Sequence, residues 1–117
     1  MIKHYPEVQA DAGVKRQVLS DSPELMVVAF RFEAEGAEGK LHNHPHVQST
    51  YVECGRFVFS VAGESFEVSP GDSFVIPSNA VHGCKCLEPG TLIDTFAPRR
   101  DDFLTPNPGK ETFHADR

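Results

Sequence analysis

The sequence contains no tryptophan, has only three cysteines, and offers neither a block of basic residues nor a long apolar run. Each absence removes a class of protein. Acidic residues outnumber basic ones seventeen to eleven, giving a net charge of −6. A nucleic-acid backbone or an anionic membrane demands a concentrated basic surface, so neither partner is expected. No apolar stretch approaches the roughly 20 residues of a membrane-spanning helix. The opening Met1-Ile2-Lys3-His4-Tyr5-Pro6-Glu7 has no apolar core of the kind a signal peptide carries. The odd set Cys54, Cys84 and Cys86 places its last two members in a C-x-C, too close for an easy disulfide along one strand. Reduced thiols in a cytoplasmic protein are the simplest reading. Sustained helical periodicity with proper caps is missing too.

What remains reads as strands. The 117 residues are expected to form one domain (1–117), with a barrel core over about 14–104 and a polar tail over 105–117. Apolar or alternating runs fall at 25–32, 48–54, 56–61, 64–68, 73–76, 81–86 and 91–96. Turn signals separate them: Ala62-Gly63, Ser69-Pro70-Gly71-Asp72, Pro77-Ser78-Asn79 and Glu88-Pro89-Gly90. Many short strands at even spacing predict a β-sandwich or barrel.

Histidines concentrate the chemistry. His42 and His44 sit two apart, which on a strand places both imidazoles on one face. Gln48 has the same parity, and His82 arrives from a distant strand, so the four form a metal site built across a sheet. Imidazole suits several divalent transition metals. Three neutral histidines and a neutral glutamine leave the full +2 charge on the ion, which makes it a stronger Lewis acid and anion binder than a glutamate ligand would allow. His46 shares the parity of His44, but Pro45 interrupts the strand between them. It reads as a pocket-rim residue or as a solvent-facing turn residue. Further on, parity alone allows either Leu92, Asp94 and Phe96 or Thr91, Ile93 and Thr95 to face inward. An inward Asp94 is able to shuttle a proton. Arg99 or Arg100 is placed to clamp a carboxylate bidentately, unless both are surface charges.

The pattern G-x5-H-x-H-x3-[E/Q]-x6-G fits Gly36, His42, His44, Gln48 and Gly55, and G-x5-P-x-G-x2-H-x3-N fits Gly71, Pro77 and His82. These resemble the two cupin motifs, with Gln48 for glutamate, Asn79 for glycine and Cys86 for asparagine as departures. The resemblance implies an all-β jelly-roll barrel of two antiparallel sheets around one divalent metal ion (Zn, Ni, Mn, Fe or Co). H-x-H-P-H-x-Q together with D-x-F-x-P-x-R-x-D-F is similar to the small cupins of pectin and alginate breakdown, the KdgF type, which convert unsaturated monouronates to linear keto forms. That likeness implies His42, His44, Gln48 and His82 as metal ligands and Asp94 and Arg100 as catalytic residues. Phe96, Arg100 and His46 would contact a small anionic sugar. A homodimer is expected, since jelly-roll sheets often pair outer faces and strand 25–32 is apolar on both sides. A metal-dependent dioxygenase and a non-catalytic sugar-binding or sensor cupin are the alternatives.

Overall fold

The computed structural model describes residues 2–104; the tail expected over 105–117 lies outside the described residues. Eight antiparallel strands follow in order: β1 (Glu7–Asp11), β2 (Val14–Ser22), β3 (Leu25–Phe32), β4 (Glu38–His42), β5 (Val47–Val61), β6 (Glu64–Val68), β7 (Ser73–Ile76) and β8 (His82–Ala97), closed by a 3₁₀ turn at Asp101–Phe103. No helix among the described residues is long and apolar enough to cross a membrane.

Two long strands build the barrel. The first half of β5 pairs with β7 and with the second half of β8, which also pairs with β3; β2 and β1 extend that layer. The second half of β5 pairs with β6 and with the first half of β8, which also pairs with β4. The sequence reading broke these strands at Gly55 and at Glu88-Pro89-Gly90. Instead the strands run through, and their pairing slips at Cys54, Arg56 and Phe57. Such slips bend a sheet and let one strand serve two layers. Gly55 has φ +85°, and a Cβ there would lie 2.6 Å from the Glu88 carbonyl oxygen. A Cβ on Gly90 would lie 2.0 Å from the Cys54 carbonyl oxygen. The corner therefore needs glycine on both strands.

The bend also switches parity. Gln48, Thr50 and Val52 point inward before Gly55, and Phe57 and Phe59 after it. Around them pack Met26, Val28, Phe30 and Phe32 of β3 and Leu92 and Phe96 of β8, all buried. β1 and β2 escaped the sequence reading because β2, Val14-Lys15-Arg16-Gln17-Val18-Leu19-Ser20-Asp21-Ser22, buries only Val14 and Val18. Two apolar anchors four residues apart make a weak strand signal.

Candidate metal centre

The site forms where the two halves of β8 meet the chain entering β5. β4 ends at His42, which pairs directly with His82 at the start of β8, and their ring centroids are 4.4 Å apart. His44 does not share a strand with His42, as the two-residue spacing suggested; it lies in the connection between β4 and β5. A turn holds it there instead. The backbone N–H of Asn79 donates to the His44 carbonyl at 2.8 Å, and the same turn supplies the Ala80 carbonyl that meets His82 Nδ1 at 2.9 Å. One turn thus positions two histidines. The potential ligand atoms of His42, His44 and His82 all lie within 4.8 Å of one another.

The hydrogen bonds assign the tautomers. His42 Nδ1 faces the Lys40 carbonyl at 2.8 Å, His44 Nδ1 the His46 carbonyl at 3.1 Å, and His82 Nδ1 the Ala80 carbonyl. A carbonyl only accepts, so each Nδ1 carries the proton and each Nε2 keeps its lone pair. Burial, reinforced by the Arg100 charge, pushes the His44 imidazole down to about 4, so it stays neutral across the neutral range. Its Nε2 lies 3.1 Å from Gln48 Oε1. Two acceptors that close repel unless a cation lies against both, and this donor set therefore fits a metal ion. Three imidazole nitrogens and an amide oxygen suit a divalent transition ion.

Behind Gln48 runs a chain of buried polar groups. Gln48 Nε2 donates to Thr50 Oγ1 at 3.0 Å, and Thr50 Oγ1 donates to Asp94 Oδ1 at 2.8 Å. Thr50 and Asp94 are 0% exposed and face each other across the β5–β8 ladder. Asp94 therefore belongs to the inward set with Leu92 and Phe96, while Thr91, Ile93 and Thr95 are half-buried on the other face. Thr50 was missed by sequence reasoning. Its signal was parity: it lies two residues from Gln48 on the same inward face.

Phe96 sits among the remaining site residues. Its ring centroid is 5.7 Å from that of His44 and 6.5 Å from that of His46, and the Arg100 guanidinium lies 5.2 Å from it. The two arginines part ways. Arg99 is engaged by Asp21 of β2 through Nε and Nη2 at 3.0 and 2.8 Å. Arg100 is 6% exposed and stacks 4.2 Å over Phe103. A bidentate clamp on a ligand was expected of it, but its Nε and Nη2 are taken by Asp102 at 3.0 and 2.8 Å. Only Nη1 remains, buried and without a hydrogen-bond partner among the described residues, as is His46 Nδ1. Burial, together with the Arg100 charge, also lowers the His46 pKa.

Residues 29–96, more than half of the chain, match the family model of the cupin domain. The chain belongs to the cupin family. This cupin is 43% identical over 94 residues to the pectin degradation protein KdgF of Dickeya dadantii, a match covering 79% of this chain and 84% of that protein. Among solved structures, an RmlC-like cupin from Shewanella frigidimarina matches with a TM-score of 0.81 at 42% identity, covering 85% of this chain and 88% of that one. KdgF from Halomonas sp. matches with a TM-score of 0.81 at 40% identity, covering 86% and 94%.

The motif departures have local explanations in this cupin. Asn79 replaces a glycine at φ +64°, a left-handed conformation that asparagine tolerates better than most residues. Cys86 replaces an asparagine and is 1% exposed in the core, where burial pushes its thiol pKa up. It behaves as a small apolar side chain.

Proposed function

We propose that this cupin opens 4,5-unsaturated monouronates, released by pectin or alginate breakdown, to linear keto-uronates. One divalent metal ion, held by His42, His44, Gln48 and His82, completes the site. Two KdgF proteins among its relatives support the substrate class. The carrying observation is Arg100 Nη1, a buried cationic donor that meets no acceptor among the described residues beside Phe96 and the histidines. Leaving such a donor unpaired costs about 1–3 kcal/mol or more, and a substrate carboxylate satisfies it.

The substrate is a cyclic enol ether with a carboxylate on the double bond. Opening it requires a proton at C4, water oxygen at C5 and collapse of the resulting hemiketal to the C5 ketone. Asp94 carries the proton between water and C4. Arg100 Nη1 holds the carboxylate beside His46 at the pocket rim, and the Phe96 ring packs against the sugar and excludes water. A bound divalent ion supplies positive charge for the negative charge that develops on oxygen. The donor set fits Zn, Ni, Mn, Fe or Co.

The free thiols of Cys54, Cys84 and Cys86 suit a cytoplasmic enzyme. A homodimer belongs to the same reading, through the outer sheet face where Val47, Tyr51 and Val75 are exposed; a monomeric mass in sedimentation removes it. The reaction itself is tested by proton NMR of an unsaturated monouronate mixed with metal-loaded protein. The vinylic C4 signal should vanish as a linear keto acid appears, with no oxygen consumed. Unchanged substrate would leave a binding module, and oxygen uptake would make the protein an oxygenase.

A further inference from the structure

Gln48 is an ambiguous ligand, because only the oxygen end of an amide binds a cation and the two ends have nearly the same shape. Something must choose the end. No solvent reaches the residue, since Gln48 and Thr50 are both 0% exposed, so a neighbouring side chain decides. Thr50 Oγ1 lies 3.0 Å from Gln48 Nε2 and 2.8 Å from Asp94 Oδ1. A hydroxyl has one proton. Thr50 spends it on the carboxylate, so the side facing Gln48 is a lone pair, and only the amide N–H end is able to meet it. Gln48 Oε1 is thereby turned toward His44 Nε2, 3.1 Å away.

We propose that Thr50 is a positioning residue that links Asp94 to the metal site by fixing which end of Gln48 faces the ion. The inference rests on the reading of His42, His44, Gln48 and His82 as the ligands of one metal ion; it does not depend on the uronate substrate. It separates two roles that burial alone would merge, a threonine that fills space and one that sets polarity. Groups that orient metal ligands by hydrogen bonding typically change metal affinity about 10- to 100-fold when removed.

The test is cobalt(II) binding to the full chain without substrate, read as affinity against a competing chelator and as the visible ligand-field spectrum. Thr50→Val keeps the branched shape and deletes the hydroxyl; it should weaken binding about 10- to 100-fold and alter the spectrum. Thr50→Ser restores the hydroxyl and should restore both. In a Gln48→Glu background the loss should largely disappear, since a carboxylate has oxygen at each end and no wrong orientation. Should valine prevent folding, Thr50→Cys carries the same test, because a thiol donates only weakly. Wild-type affinity and spectrum in the variant that folds would overturn the role of Thr50. A wild-type chain that takes up no cobalt would instead remove the metal centre, and the proposal with it.

Discussion

Neighbouring residues of one type carry opposite assignments in this site, and the reason is which partner each meets. Arg99 and Arg100 are adjacent, yet Asp21 engages the first, while Asp102 leaves Nη1 of the second without a partner among the described residues. Sequence patterning left them equivalent, because the partners come from β2 and from the turn after β8. The same limit applied to Asp94, whose inward direction depends on the β5–β8 register, and to Thr50, whose hydroxyl matters only once Gln48 and Asp94 flank it. The grouping of His42, His44 and His82 was legible in the motif. The shared strand inferred from the His42/His44 spacing was not what brings them together, because a turn holds His44. Asp94→Asn keeps an acceptor for Thr50, so metal content should stay at the wild-type level in elemental analysis while kcat falls about 10²- to 10⁴-fold. Arg100→Lys should lower kcat/KM about 10- to 100-fold, the worth of a charge-assisted hydrogen bond. Arg99→Lys should lower kcat/KM much less in the same assay, since Arg99 contacts Asp21 and acts only through the segment that presents Arg100.

Strands were easiest to read where both residue pattern and turn chemistry agreed. The hairpin at Ala62-Gly63 is one such place: φ is +50° and +86°, and Val61 pairs with Glu64. Alanine is a poor choice for the first of these positions. Ala62→Asn should raise stability by about 0.5–1 kcal/mol, since asparagine adopts positive φ more readily, and a higher melting temperature checks it. Continuity was harder to see. Gly55 and Pro89-Gly90 look like strand breaks, yet they are the corner where two long strands bend past each other at backbone contact. Gly90→Ala should therefore cost at least about 3 kcal/mol. Gly71 has φ +96° but nothing within 4 Å of a Cβ, so Gly71→Ala should cost only about 1–2 kcal/mol. Equal losses in a denaturant titration would contradict the packing argument.

Across the molecule, the barrel brings two distant segments to one mouth and ties them with few charged contacts. Asp21 and Arg99 join β2 to the segment that presents Arg100. The Arg99 hydrogen bond holds the Asp21 carboxyl below its ordinary value of 3.8. With the native pKa depressed, the pair stabilises the fold above pH 3.8, and that stabilisation fades as pH falls through the lower native value. Melting curves of wild type and Asp21→Asn should differ at neutral pH and converge in acid; a constant gap would contradict this. The most direct test of the whole account is a metal titration into stripped protein, following loss of the ultraviolet absorbance of an unsaturated monouronate. Activity should be absent without metal, rise to a plateau at one equivalent per chain, and stay absent in His82→Ala. Full activity in the stripped protein, or none at any metal loading, would contradict the reading of this cupin as a metal-dependent uronate-opening enzyme.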